Sequence, residues 1–328
     1  MYIYNIYGVD LSSRDQISIL RTTCAGKADV ILSVINNPIW LKRQKDLSRL
    51  VGVNDYGTVL CFHQDQGRLY LTKSGVVLYT SKNRIDIYIP ESITKKYGIQ
   101  ELVYAYVSGV GLQYIMRDRG YPILHAAVLK IASKIIAFVG DSGQGKSSLA
   151  ASLIRYVDAT MISDDLLVLE STNPPILLTG PEPSIMKVSD EVISGILKEE
   201  PLSYPSLPSG KRLYTHSRKS ILNESSLKLD AVIWLDRSNS YNKAVIEHIG
   251  RSTSYAGLCQ YMYHSFGMTS DEKAKEAGEL AKMARNDDVR FAVMRYPSGI
   301  DQLGSIAQLI LAYTEIGIMH ERGKCDDK

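Results

Sequence analysis

Cysteine is scarce in this 328-residue sequence, and its four copies, Cys24, Cys61, Cys259 and Cys325, are scattered. None stands at the short paired spacing of a zinc site or a disulfide framework, so reduced thiols are expected. The N-terminus, MYIYNIYGVDLSS, lacks the basic-then-apolar order of a signal peptide. Nor does any apolar run approach the roughly 18 residues that a membrane span requires. A cytoplasmic protein with no membrane partner is expected. A dense Lys/Arg stripe is also missing: 38 basic and 35 acidic residues leave a net charge of only +3. That balance makes no case for a nucleic-acid partner. Internal repeats and low-complexity blocks are absent. What remains, 45% hydrophobic and 22% charged residues, is the profile of an ordinary globular chain long enough for one large or two modest domains.

Two textures divide it. Residues 1 to about 98 alternate apolar and polar positions in YGTVLCF (56–62), GRLYLTK (67–73), VVLYTSK (76–82) and RIDIYIP (84–90). Period-2 runs broken by Gly, Asn and Lys-Ser-Gly predict a small antiparallel sheet, hence a β-rich N-terminal domain over 1–98. From Gln100 to Arg119 the apolar spacing becomes helical, and Gly120-Tyr121-Pro122 ends that helix. The 99–328 region reads as α/β. Strands are expected at 125–128, 134–139, 159–162, 166–169, 176–178, 185–188, 229–235, 244–249 and 289–296. Helices are expected at 147–156, 189–198, 252–264, 271–286 and 301–316, with Ser189 as a cap. The Pro/Ser/Gly-rich stretch 201–210 reads as a loop, and the tail ERGKCDDK as frayed.

The chemistry concentrates in FVGDSGQGKSSLA. Gly140-Asp141-Ser142-Gly143-Gln144-Gly145-Lys146-Ser147 fits G-x-x-x-x-G-K-[ST] at every fixed position. Its glycines let the backbone turn tightly and approach phosphate oxygens. Successive N–H groups can then form an anion nest that opens a helix. Lys146 supplies a mobile cation for β and γ phosphates, and Ser147 a hydroxyl for Mg2+. A buried apolar strand before the loop and an amphipathic helix after it turn a pattern match into a reading. Residues 140–147 with Ser148 are the candidate nucleotide-binding set, and ATP with Mg2+ the expected cofactors.

One helix and one short strand further on, MISDDLLVLE sets Asp164 beside Asp165. A βαβ unit places such a pair at the carboxyl edge of the sheet, near the phosphates. One carboxylate can hold magnesium through oxygen and the other accept a proton from an attacking hydroxyl. Without the loop upstream, the pair would read as solvated turn residues. His125, in LHAAVL, reads on its own as a satisfied interior histidine rather than a catalyst.

Taken together, His125 in LHAAVL, the loop GDSGQGKSS and the pair in ISDDLLVLE resemble the HPr kinase/phosphorylase family. Order and spacing both match, including the short interval between loop and Asp pair. LTGPEPSI, the Gly210-Lys211-Arg212 triplet, the strand LKLDAVIWL and the closing helices look like the HPr-kinase-related serine kinases of peptide-modification clusters, lasso-peptide clusters among them. The resemblance covers about 120–320. It implies a P-loop kinase domain of the HPr kinase/PEP carboxykinase-like type, with a mixed sheet and flanking helices. It also implies that Asp164 is the general base, that Ser147 and Asp165 hold Mg2+, and that His125 lies close to Asp164 and orients it. The acceptor would be a serine of a peptide or protein, at the end of a short precursor if the lasso likeness holds. The Gly-rich signature that follows the Asp pair in true HPr kinases has no clear copy here, which argues against HPr as acceptor and against a reverse phosphatase activity. Lys211 and Arg212 are the nearest basic groups for charge on the transferring phosphoryl, or else an exposed basic loop. The family forms hexamers, so a homo-oligomer is compatible with the resemblance.

Three readings follow. The first is a serine kinase acting by in-line transfer. The second is a nucleotide-binding or slowly hydrolysing regulatory module, and the third a small-molecule kinase that shares every site residue with the first. Which Asp serves as base and which holds metal stays open, because adjacent carboxylates titrate as a pair.

Overall fold

The computed structural model describes residues 1–23, 28–37, 39–40, 42, 44, 49–53, 59–64, 66–170, 175–180, 184–216 and 227–322. The first strands are β1 (Tyr2–Ile6), β2 (Val9–Ser13), β3 (Val30–Ile35), β4 (Arg49–Val53), β5 (Val59–Gln64), β6 (Gly67–Thr72), β7 (Val77–Ser81) and β8 (Arg84–Tyr88). They form one eight-stranded sheet in the order β1-β2-β3-β8-β7-β6-β5-β4. This corrects the expectation of a small antiparallel sheet. The 59–88 meander is antiparallel as expected, but β3 enters between it and the β1–β2 hairpin and is parallel to both β2 and β8. Alternation reveals a strand and its faces, but not which distant strand it joins. Residues 56–58 lie outside the described residues.

The helix expected over 100–119 is α1 (Ile99–Tyr106), a π-helical segment at Val107–Gly111, and α2 (Leu112–Asp118). Gly109 and Gly111 weaken the helical preference there, and Ser108 Oγ donates to the Tyr104 carbonyl at 2.8 Å. Such insertions are how a helix accommodates an extra residue. α1 and α2 bury Leu102, Val103, Leu112, Ile115 and Met116 in the same core as Tyr4, Leu11, Leu78 and Ile85 of the sheet. That core continues into Ile123, Leu166, Val168 and Ile185 of the following region.

The second sheet is built from β9 (Ile123–Ile131), β10 (Lys134–Val139), β11 (Thr160–Ser163), β12 (Leu166–Glu170), β13 (Ile176–Leu178), β16 (Leu227–Lys228), β17 (Ala231–Ser238), β18 (Val245–His248) and β19 (Arg290–Pro297). Between β13 and β16 in the chain, β14 (Ser184–Val188) and β15 (Arg212–His216) form a separate antiparallel ribbon. The main order is β16-β13-β12-β9-β10-β17-β19-β18, with β11 also on β9. β10, β17 and β19 are mutually parallel, and the other pairings are antiparallel.

Both faces of this sheet are covered, which explains the uninterrupted apolar run in β10. Ala127, Leu129, Ile136 and Phe138 face α3 (Lys146–Val157). Alternate residues Ala126, Val128, Ala137 and Val139 pack with Leu258 of α4 (Arg251–Gln260) and Leu280 and Met283 of α5 (Ser270–Ala284). Ile306 and Ile310 of α6 (Leu303–Arg322) close the α3 face. α5 starts with a capping box between Thr269 and Glu272, which satisfies two orphan amides reciprocally.

Two further expectations change. Ser189 does cap Asp190–Val192, its side chain accepting from Val192 N, but the helix passes into a π-helical turn at Ile193–Leu197. The helix expected over 252–264 stops at Gln260, because the next residues leave it to pair with the start of β9. The Tyr261 carbonyl accepts from His125 N at 3.0 Å and Tyr263 N donates to the Ile123 carbonyl at 2.9 Å. Among the described residues no helix is long and apolar enough to cross a membrane. Cys61 is buried and Cys259 half-buried, both as free thiols.

Candidate functional site

β9 organises the site. On one flank, antiparallel β10 places Val139 opposite Ala126 and then departs into the glycine loop. On the other flank β11 places Ser163 opposite Val128, and β12 resumes with Leu166 opposite His125. Asp164 and Asp165 therefore stand beside Ala127 and Ala126, and Ala126 N donates to the Asp165 carbonyl at 3.2 Å. The doublet flanks the two alanines on one side of β9, and the loop starts on the other side just past Val139, the partner of Ala126, about two strand spacings or 10 Å across. His125 is the next residue along, where the Tyr261–Tyr263 segment takes the place that β10 vacates.

The loop is held in shape from three sides. Gly143 and Gly145 have φ of +90° and +88°, a region nearly closed to side chains. A Cβ on Gly145 would come within 2.7 Å of the Tyr296 hydroxyl. That hydroxyl donates to the Gln144 carbonyl. From β17, Arg237 N donates to Gln144 Oε1 at 2.7 Å and Arg237 Nη2 to the Gly143 carbonyl at 2.6 Å. Gln144 N closes the turn onto the Asp141 carbonyl at 3.2 Å. Lys146 Nζ bonds the Gly140 and Asp141 carbonyls at 2.6 and 3.2 Å. Gly145 then caps α3, so Lys146, Ser147 and Ser148 form its first turn with the dipole directed at the loop.

The doublet is the strained point. Asp165 has φ +70°, uncommon outside glycine and costly unless surrounding contacts enforce it. Those contacts come largely from Lys187 on β14. Its Nζ lies 2.7 Å from Asp165 Oδ2 and donates to the Ala105 carbonyl of α1 at 3.2 Å. Its backbone N–H donates to Asp164 Oδ2 at 2.8 Å. A second brace starts in the N-terminal sheet. The Tyr7 hydroxyl, buried and 2.9 Å from Ser163 Oγ, meets a hydroxyl that donates to the Leu166 carbonyl at 2.6 Å. Ser163 and Leu166 bracket the doublet.

Electrostatics separate the two carboxylates. Burial and the neighbouring Asp165 charge push Asp164 up to about 6. Burial pushes Asp165 the same way, but the Lys187 ammonium and His125 outweigh it and hold this carboxyl well below the usual range. Burial and the Lys146 charge lower His125 to about 4, so its imidazole is neutral at pH 7. The carboxylate field that reaches His125 is that of Asp165. Lys146 is itself lowered by burial, against the fields of both aspartates.

Of the basic pair, Lys211 directly precedes β15, its carbonyl accepting from Leu207 N at 2.8 Å, and its charge reaches His125, Lys146, Asp164 and Asp165. Arg212 turns away. Its guanidinium binds Asp190 at 2.8 and 3.3 Å and the Tyr204 carbonyl at 3.1 Å.

Among the described residues no group of three or more His, Cys, Asp or Glu is placed to hold a metal. The donors here fit a different style of binding. Magnesium commonly takes one or two carboxylates and completes its shell with water and substrate phosphates. Asp165, kept ionised, is a suitable hard oxygen donor, and Ser147 supplies a hydroxyl in the first turn of α3.

Lys187, Arg237, Tyr296 and Tyr7 were not singled out from the sequence. Lys187 had a visible signal: it is the one charge in SIMKV, between the buried Met186 and Val188.

No family model matches the chain, and no curated protein matches it. Among solved structures it is similar to the Hpr(Ser) kinase/phosphatase from Coxiella burnetii, at 12% identity and a TM-score of 0.32, over 62% of this chain and 93% of that one.

Proposed function

We propose that the chain is an ATP-dependent kinase that transfers the terminal phosphate to a serine hydroxyl of a peptide or protein. The observation that carries this reading is that a glycine loop with a lysine leaves β10 just past Val139, the partner of Ala126, while an acidic doublet flanks Ala126 and Ala127 from the other side of β9. The phosphate chain lies on the loop amides with Lys146 on its outer oxygens. Asp165 and Ser147 hold magnesium, which supplies neutralisation of phosphate charge. Asp164, with a raised pKa, accepts the serine proton; a base poised near the working pH suits that task. Neutral His125 packs beside the doublet and keeps its surroundings fixed without adding positive charge. Lys211 faces the charge that develops on the phosphoryl group. Phosphoryl transfer needs positioning and charge compensation more than covalent help, and these residues provide both. The acceptor we favour is the terminal serine of a short precursor peptide, following the likeness of the 120–320 region to kinases of lasso-peptide clusters.

The test is incubation with γ-labelled ATP, Mg2+ and serine-containing peptides. The wild-type chain labels a peptide. Asp164→Asn retains nucleotide affinity but loses about 100- to 10,000-fold in transfer, the usual contribution of a general base. Tight ATP binding with no label on any serine peptide, or undiminished transfer by Asp164→Asn, overturns the proposal.

A further inference from the structure

Beside His125 lies a buried tyrosine that takes no part in the proposed transfer and is held at every end. Tyr263 is 8% exposed. Its amide donates to the Ile123 carbonyl of β9 at 2.9 Å, and its carbonyl accepts from Arg117 Nη2 of α2. Its ring stacks on His264 with centroids 4.0 Å apart and meets the His125 ring edge-on at 5.9 Å. We propose that Tyr263 is a positioning residue of the phosphoryl-transfer site, seated against His125 by the π-helical turn at Val107–Gly111. The inference rests on the reading of the doublet as that site, and adds the element that fixes its His125 side.

The first observation is steric. The π turn brings Gly109 so near the tyrosine that a Cβ there would lie 3.0 Å from the Tyr263 hydroxyl. Such a close backbone approach is open to glycine alone. The hydroxyl end of the ring therefore has no room to move toward the helix.

The second is the phase of that helix. An α-helix turns about 100° per residue, and a π turn takes up one extra residue. α1 works on one side of the doublet: Lys187 Nζ, the partner of Asp165, donates to the Ala105 carbonyl at 3.2 Å. α2 works on the other, through Arg117 and the Tyr263 carbonyl. Without the extra residue α2 would swing about 100° against α1, and both sets of contacts could not form. One helix thus reaches Asp165 through Lys187 and His125 through Tyr263.

The third is a closed circuit of bonds. Arg117 Nε donates to Glu276 Oε2 at 2.7 Å, and Ile123 N donates to Glu276 Oε1 at 2.8 Å. The Ile123 carbonyl holds Tyr263 N, and the Tyr263 carbonyl returns to Arg117. This circuit locks the tyrosine to the start of β9, two residues before His125. Burial and the Asp165 charge hold the Tyr263 phenol well above its ordinary range, so the ring stays neutral.

Gly109→Ala tests the assignment, with transfer to a serine peptide and the His125 ring-proton resonance as readouts. The new methyl displaces the Tyr263 hydroxyl by a few tenths of an ångström. Turnover falls about 3- to 10-fold, since a full ångström of misplacement costs about 100-fold. The KM for MgATP stays at its wild-type value, because nucleotide binding is not what the ring positions. The same change at Gly111, whose Cβ would meet Leu78 Cδ2 at 3.4 Å, leaves turnover as it was. Tyr263→Phe removes the atom that the methyl strikes, so adding Gly109→Ala to Tyr263→Phe costs no further turnover. If Gly109→Ala does not fold, Tyr263→Leu, which keeps both backbone bonds and removes the ring, decides by the same split of kcat from KM. A loss that persists in the Tyr263→Phe background, a parallel rise in the KM for MgATP, or full turnover in the deciding variant overturns the assignment. A wild-type chain without transfer refutes the kinase reading instead. The resonance, recorded in EDTA without nucleotide, then decides alone: displaced in the deciding variant it supports the positioning role, and unmoved it overturns it.

Discussion

Replacement of Lys187 by methionine removes the positive charge that keeps the acidic doublet tolerable. At 2.7 Å from Asp165 Oδ2, the ammonium interacts by about 6 kcal/mol at an effective dielectric near 20. Desolvation of both ions offsets much of this. One-sided removal of a partner from a buried pair costs about 3–5 kcal/mol. The two side chains are 20% and 25% exposed, so a loss of about 2–4 kcal/mol is expected at pH 7.5.

The pH dependence has a definite sign. Asp165 is depressed in the folded chain, so its contribution is present above the ordinary carboxylate range and is lost as pH falls toward its folded value. Asp164 is raised to about 6. It therefore weakens the fold above that pH, and the penalty fades as it takes up its proton below it. Without Lys187 the doublet carries two unscreened charges at pH 7.5 and sheds them readily by pH 5. Urea denaturation followed by the fluorescence of buried Trp234, in EDTA, measures the gap between variant and wild type at both pH values. The gap should narrow by at least about 1 kcal/mol at the lower pH, since one pKa unit is worth about 1.4 kcal/mol. A gap equal at the two pH values, or below about 1 kcal/mol at pH 7.5, refutes the reasoning.

Further predictions address the loop, the brace and a helix end. Gly145→Ala forces a Cβ at φ +88° against the Tyr296 hydroxyl, and should cost about 1–3 kcal/mol and most ATP affinity, measured by denaturation and calorimetry. Tyr7→Phe removes the bond to Ser163 but leaves Ser163 on the Leu166 carbonyl. A stability loss of about 1 kcal/mol, with turnover reduced and nucleotide affinity kept, is expected; unchanged turnover would show that the brace does not position the doublet. Thr269→Ala breaks the capping box of α5 and should lower stability by about 1 kcal/mol with no effect on nucleotide binding.

How much of this was legible in the sequence follows the range of the forces involved. IIAFV is a strand buried on both faces, and GDSGQGKS a tight loop opening a helix; both are decided by neighbours within a dozen residues. Asp164 and Asp165 were legible as a pair, yet nothing local predicts that Asp165 adopts φ +70° or that Lys187, 22 residues on, neutralises it. Strand β15 was assigned no element from the sequence, because its pairing with β14 brings together residues 24 to 32 positions apart. Residues 261–264 carry a helical pattern, but the Tyr261 carbonyl and the Tyr263 amide find partners on β9 instead, a choice made by tertiary context. Arg212 was grouped with Lys211 by adjacency. Lys211 precedes β15, whereas Arg212 begins it with its guanidinium bound to Asp190 and the Tyr204 carbonyl; no local pattern separates the two.

Loop and doublet together should bind nucleotide in a magnesium-dependent way. Calorimetric titration of ATP into the wild-type chain and Asp165→Asn, each with Mg2+ and with EDTA, measures it. We expect the wild type to bind at least tenfold more tightly with Mg2+ than with EDTA, and Asp165→Asn to lose that difference while still binding ATP through the loop. ATP affinity indifferent to both the metal and Asp165 would contradict a shared pocket.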